Sequence, residues 1–285
     1  MEILERAVSF AMLAFVLSSM LAVGLSLTVA EILAPLRNVR LVFVALLANF
    51  VLMPAGALVI ARLLNLDEPL GAALLLLGTA AGAPFLPKLA AVAKGNLGLA
   101  VGLTVLLMVL TVAYMPVVLP LLLTGVAVDP LEIARSLVLL MLLPLAVGLV
   151  VRARLEGIAR KARPPLEQLS SASLVVLVVG MTVTNFQNVL SLFGTRGILA
   201  SVIFLALGVA LGWLLGGPDR GTRGVMALGT AQRNIAAALV VGGQSFPDPR
   251  VVVLVVVVAI VGLLILFPLA RALAKPRPEH DRAGG

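Results

Sequence analysis

The sequence predicts an all-α polytopic membrane protein of nine transmembrane helices, arranged as inverted repeats with two broken crossing helices. Composition, the length and apolar faces of the runs, and two interruptions carry this reading. Hydrophobic residues make up 61% of the 285 and charged residues only 12%, with a mean hydropathy of +1.18, more apolar surface than a soluble core can enclose. Apolar runs repeatedly reach the ~20 residues that cross ~30 Å of hydrocarbon. Runs such as 251–268 are apolar on every face, where a membrane β-barrel would alternate apolar and polar positions. Finally, the tripeptides Gly78-Thr79-Ala80 and Gly229-Thr230-Ala231 interrupt two of the runs, and a cation, Lys88 or Arg233, follows each.

The crossings fall at about 7–29, 40–63, 68–93, 97–124, 130–152, 166–190, 197–216, 223–246 and 249–273. The first is no cleavable signal, because residues 1–6 carry two acids and one base and the apolar run that follows lasts a full span. An odd number puts the termini on opposite sides. Placing the N-terminus outside leaves only Arg6, Arg62, Arg135, Arg196 and Arg250 as outer loop cations and puts fourteen in the cytoplasm. That bias sets the orientation, with the C-terminus cytoplasmic and the plasma (inner) membrane as the expected location. The polar stretch 152–165 reads as the one linker, and the Pro-, Gly- and charge-rich tail 274–285 as disordered.

The third and eighth spans are the broken ones. Gly78, Gly82, Pro84 and Pro87 fall within ten residues of the third, removing amide donors and helix propensity. A proline kink repaired by neighbouring helices is the other reading of that segment. The eighth break lacks proline and rests on Gly229, Thr230, Gln232, Arg233 and Asn234, about ten residues or ~15 Å along a helix from Arg223. If these spans correspond, spans 2–4 match spans 7–9 with opposite topology. Inverted repeats with one discontinuous helix each are the architecture of secondary transporters.

Cysteine is absent, which excludes disulfides and thiolate-held metals, and the single His280 lies in the tail. No resident metal or cofactor is expected. The net charge of +8 sits in short loops without interleaved aromatics, so it points to topology and not to nucleic acid. No carboxylate pair or Ser-His arrangement lies within the spans, so an enzyme is not expected.

Five motifs, in order, make the chain resemble the bile acid:sodium symporter family. They are Gly24-Leu25-Ser26-Leu27, Asn49-Phe50-Val51-Leu52-Met53-Pro54, Ala93-Lys94-Gly95-Asn96, Leu142-Leu143-Pro144 with Gly148-Leu149, and Gly229-Thr230-Ala231-Gln232-Arg233-Asn234. The resemblance covers nearly the whole chain. It implies a core domain formed by 40–124 (broken helix 68–93) and 197–273 (broken helix 223–246), and a panel of 1–29 and 130–190. Organic anions would be carried in the cleft between them. It also implies a departure. Where sodium-coupled members resemble one another in a Ser-Asn pair and a Glu, this chain has Leu86, Pro87 and Leu228. Asn49, Thr104 and Gln232 remain as oxygen ligands for a coupling ion, and the thirteen acids all lie at membrane edges, in loops or in tails.

The expected substrate site comprises Arg233, Asn234, Thr230, Thr79 and Lys88. An ionised base within a span costs at least ~2.5–3.5 kcal/mol and needs a partner or water, and an anionic substrate supplies one. Two readings stand for each cation. Lys88 either meets the anion at the start of a half-helix, with a further role in coupling transport to protons, or snorkels to the cytoplasm. Arg233 either grips the anion bidentately or bonds facing carbonyls. Thr182, Thr184, Asn185 and Gln187 read as interfacial hydrogen-bonders, and the series Gly98, Gly102 and Gly208, Gly212, Gly216 as close-packing positions. The expected activity is secondary transport of a small organic anion by alternating access, with proton rather than sodium as the coupling ion. A passive channel or facilitator on the same scaffold is the alternative.

Overall fold

The computed structural model of the protein describes residues 2–33, 37–123 and 129–274, and all the regular structure among them is helical. The tail expected to be disordered lies, beyond Ala274, outside the described residues. Eight described helices are long and apolar enough to cross a membrane, and the chain is an integral membrane protein. The run 68–93 is not among the eight: six residues, 80–85, separate its two short helices, whereas Arg220–Ser245 is continuous enough across its three-residue break to be one of them.

Helix α1 (Glu2–Ser26) is followed by the short α2 (Val29–Leu33). The second run is α3 (Val39–Leu47), a π-helical turn Ala48–Leu52 and α4 (Met53–Leu63). Proline causes the widening. Pro54 has no N–H to give the Phe50 carbonyl, the ladder loosens there, and the hydroxyl of Tyr114 donates to that carbonyl instead. Pro144 repeats the device: α8 (Pro130–Leu137) passes through the π turn Val138–Leu142 into α9 (Leu143–Arg154). The third run splits into α5 (Glu68–Thr79) and α6 (Leu86–Val92), and Asn96 caps the long α7 (Leu97–Leu122) by accepting from the Leu99 amide.

The expected linker 152–165 is instead helical. Leu155 alone separates α9 from α10 (Glu156–Thr184), which runs on through Pro164 and Pro165. Ion pairs at i,i+4, Arg152–Glu156 (2.7 Å) and Arg163–Glu167 (2.8 Å), brace the charged turns on either side. The remaining elements are α11 (Phe186–Gly194), α12 (Gly197–Leu215), α13 (Arg220–Ala231), α14 (Ile235–Ser245) and α15 (Pro249–Leu273).

The two interrupted runs sit at the centre. Residues 70–79 of α5 with the exception of Gly71, 224–231 of α13 and 236–242 of α14 are buried, enclosed by α4, α7, α12 and α15. Phe10, Leu121, Leu214 and Leu264, on surrounding helices, are exposed, as suits a lipid-facing belt. Glycine sets two of the close approaches. A Cβ on Gly212 would lie 2.2 Å from the Met226 carbonyl oxygen, so α12 packs on α13 backbone to backbone, with Gly208 and Gly216 in the same stripe. Gly24 and Gly148 meet where α1 crosses α9, each placing a Cβ 2.9 Å from the other's Cα. A Cβ on Gly98, of the other series, would touch only the neighbouring Asn96 side chain.

Helix α1 lies along α9 and α10 as a separate layer. This layer meets the central helices at the end of the bundle that holds the start of α1. There Met12 packs against Gly243 of α14, and the Ser136 hydroxyl of α8 donates to the side-chain carbonyl of Gln244. At the opposite end, α6 and α13 pack on α7, α15 and each other.

Candidate functional site at the helix crossing

The two breaks touch through their backbones. The first leaves the helix from Ala80 to Ala83 and turns at Pro84–Phe85, and Gly82 has φ +81°, where a Cβ would lie 2.2 Å from the Met108 amide nitrogen of α7. Only glycine combines that torsion with that approach. In the second break, Asn234 caps α14 through its side-chain oxygen, which accepts from the Ala237 amide at 3.1 Å, while its own amide donates to the Ala80 carbonyl at 2.9 Å. The chain therefore crosses itself where α5 and α13 end.

Helix ends leave carbonyls without partners, and in hydrocarbon each must be answered from within the protein. Side chains of α7 answer the first break. The Thr111 hydroxyl donates to the Ala81 carbonyl and accepts from the Ala81 amide, both at 3.1 Å, and the Thr104 hydroxyl donates to Ala100 O at 2.8 Å and reaches Ala83 O at 3.4 Å.

Arg233 answers the rest. Its guanidinium is buried, with the residue 2% exposed. Nε donates to Leu77 O (2.8 Å), Nη2 to Gly78 O (2.8 Å), and Nη1 to both Asn49 Oδ1 (2.8 Å) and Thr230 O (3.1 Å). The last carbonyls of α5 and of α13 thus converge on one cation, with Asn49 from the π turn of the second run completing the set. Of the two readings of Arg233, the facing carbonyls are the partners found. Asn49 is held in turn, its amide donating to Ala45 O at 3.0 Å and lying 3.5 Å from the Thr230 hydroxyl.

The other expected residues divide. Thr79 and Thr230 are buried at the crossing, Thr79 spending its hydroxyl on Leu75 O and Leu76 O of its own helix. Gln232 and Asn234 flank Arg233, and each has a buried side-chain atom without a partner, Oε1 and Nδ2 respectively. A cavity of about 10 Å³ beside Gln232 and Arg233 has room for no more than a single water. Lys88 stands apart. It is exposed on the first turn of α6, its Nζ 5.6 Å from the centre of the Phe85 ring, so the burial that motivated a coupling role is not found. In the last turn of α10, Thr182 and Thr184 bond carbonyls of their own helix and Asn185 bonds Thr184. Sequence reasoning missed Thr111 and took Tyr114 for an anchor or packing residue, although its hydroxyl completes the Phe50 carbonyl. A larger cavity, about 370 Å³, opens at the end of the bundle away from the α1 start, bordered by Lys94 and Arg220.

Comparison with known proteins finds relatives of this chain. The chain is 23% identical over 81% of its length to a probable chloroplastic sodium/metabolite cotransporter of Arabidopsis thaliana, of which it covers 58%, and 24% identical to its counterpart from Oryza sativa subsp. japonica with the same shares of both chains. It is 29% identical over 69% of its length to an uncharacterized sodium-dependent transporter of Bacillus subtilis (strain 168), covering 60% of that protein. The chain thus spans under two thirds of the length of these relatives. The model of the sodium bile acid symporter family matches residues 12–192, from α1 through the first break and into α11, and by that match the chain belongs to the sodium bile acid symporter family.

Proposed function

We propose that the protein is a secondary transporter of a small organic anion, working by alternating access in the plasma (inner) membrane with its N-terminus outside. The observation that carries this reading is the backbone bond between the two breaks, Asn234 N–H to Ala80 O, with the ends of α5 and α13 converging on one point. Discontinuous helices meeting inside a bundle form the usual site of secondary transporters, and transport is the function in the names of the relatives. In this reading α1 and α8–α10 are the panel and the remaining long helices the core. The seam at Met12, Ser136, Gly243 and Gln244 is then the closed outer side, and the cavity near Lys94 and Arg220 lies on the cytoplasmic side.

Lys88, exposed on α6, supplies an accessible positive charge to attract the anion, and Asn234 Nδ2 supplies an uncommitted donor, while Gln232 Oε1, an acceptor, is left for a coupling cation. We give Lys88 no coupling role, since its burial was the reason for one. Thr79, Thr230 and Asn49 shape the crossing. Sodium is not the driving ion in this reading: the oxygens at the crossing already surround Arg233, and the ion pairs found among the described residues lie elsewhere.

The experiment is a thermal-stabilisation screen of small carboxylates and sulfonates, followed by uptake of the best stabiliser into proteoliposomes under inward proton, inward sodium or no gradient. Accumulation above the external level with the proton gradient supports the proposal. Sodium-driven accumulation contradicts it. Equilibration under every gradient establishes the facilitator, which the lack of a carboxylate at the crossing among the described residues favours over a sodium-coupled carrier.

A further inference from the structure

Two helix C-termini with their free carbonyls meet at the crossing beside the N-terminus of α14, and among the described residues the one buried charged side chain there is Arg233. Helices α5 and α13 both end there, and a helix C-terminus carries about half a negative charge together with unpaired carbonyls. The guanidinium of Arg233 is the cation at that point, and its four acceptors are all neutral oxygens: Leu77 O, Gly78 O, Thr230 O and Asn49 Oδ1. The described ion pairs lie away from the crossing: Arg152–Glu156 and Arg163–Glu167 on α9 and α10, and Arg250 with Asp67 and Asp248 at the starts of α15 and α5.

An ordinary buried arginine neutralises a carboxylate, because an unpaired charge in a low-dielectric interior is expensive. Here the compensation is the arrangement by which unwound carbonyls and half-helix C-termini hold a free monovalent cation. Three separate stretches of chain supply the oxygens, so the set exists only when both breaks are in place.

We propose that Arg233 is a tethered cation: its guanidinium permanently fills an oxygen cage that, with the side chain removed, is a binding site for a free monovalent cation. Two consequences follow. The native protein needs no dissolved cation to stabilise the crossing. A variant lacking the side chain acquires a cation site formed by the same four oxygens. The inference stands on the crossing alone and does not depend on the substrate or direction of transport.

The test is thermal unfolding of the purified full chain in choline chloride, with no substrate present. Arg233→Ala is expected to lose at least ~12 °C of Tm, as the loss of four buried bonds to a charged donor implies for a chain of this size. Guanidinium at a few tens of millimolar, far below denaturing concentrations, or sodium in place of choline, is expected to restore at least half of that loss in a saturable way. The native protein is expected to show no difference between sodium and choline. Gly212→Ala, destabilised by packing, serves as the control and gains nothing from either cation. The proposal is overturned if neither cation restores Arg233→Ala, or if the native protein gains as much from sodium as the variant. Should Arg233→Ala not fold, Arg233→Lys and Arg233→Gln decide the matter. The charged variant is expected to ignore sodium and the neutral one to be stabilised by it, and identical behaviour of the two overturns the proposal.

Discussion

Replacing Asn49 with alanine removes the one side-chain oxygen among the four acceptors of Arg233. Asn49 is buried, accepts from Arg233 Nη1 at 2.8 Å, donates to Ala45 O at 3.0 Å and barely reaches the Thr230 hydroxyl at 3.5 Å. The 3.5 Å contact lies at the edge of hydrogen bonding and contributes little. Ala45 O is an acceptor within the same helix, so losing the side-chain donor there costs little too. The bond to the guanidinium dominates, at about 1.5–3 kcal/mol for a hydrogen bond to a charged group. With roughly 2–4 °C per kcal/mol for a chain of this size, the Tm of Asn49→Ala is expected to fall by ~3–12 °C. Thr79→Ala is the matched control. Thr79 is equally buried, but its hydroxyl bonds only Leu75 O and Leu76 O of α5, so its loss is expected to be no more than ~3 °C. Thermal unfolding of both variants, completed by an Asn49→Ala, Arg233→Ala double-mutant cycle, is the assay. A coupling of at least ~1 kcal/mol is expected. Equal shifts for the two single variants, or strict additivity in the cycle, would refute the assignment of Asn49 to the Arg233 cage.

Gly212→Ala is expected to push α12 from α13, since its Cβ would sit 2.2 Å from Met226 O, and to cost about 1–3 kcal/mol of stability by thermal unfolding. The chain has no native cysteine, so Ser136→Cys with Gln244→Cys gives a clean pair across the seam between α8 and α14. Cross-linking it is expected to stop uptake and reduction to restore it, whereas full transport by the cross-linked protein would show that the seam does not open. At the same end, the Arg250 guanidinium bonds Asp248 and holds its carboxyl below the usual aspartate range. A depressed carboxylate stabilises the fold above the unfolded value, near pH ~4, and loses that contribution as pH falls through the folded value. The stability gap between the native protein and Arg250→Met is therefore expected at neutral pH and to close below about pH 4, and a gap that widens in acid would count against the pairing.

What the sequence discloses follows from where the signal is stored. Apolar length is written in the residues themselves, so the long spans could be read directly. Both breaks were legible as well, the first from glycine and proline, the second from the polar run ending in Asn234. The connection at Leu155 was not, because Pro164 and Pro165 argue for a loop locally while a long helix braced by flanking ion pairs carries them. The site was half legible. Arg233, Asn49 and Thr230 stand out as polar residues in apolar runs, but three of the four Arg233 acceptors are backbone carbonyls, which carry no sequence signal. That is why the residues alone leave two readings of Arg233 open. Thr111 passed unnoticed for a similar reason, since a threonine within a span usually bonds its own helix and only the fold brings Ala81 to it.

Counterflow in the absence of sodium tests the central claim most directly. Proteoliposomes are loaded with the stabilising organic anion, diluted into a trace of the same anion carrying a label, and followed in choline medium with no ion gradient. A carrier that alternates around a crossing already filled by Arg233 is expected to drive label transiently above its external level and then release it. Label that only rises to equilibrium, or that moves only after sodium is added, would contradict the account.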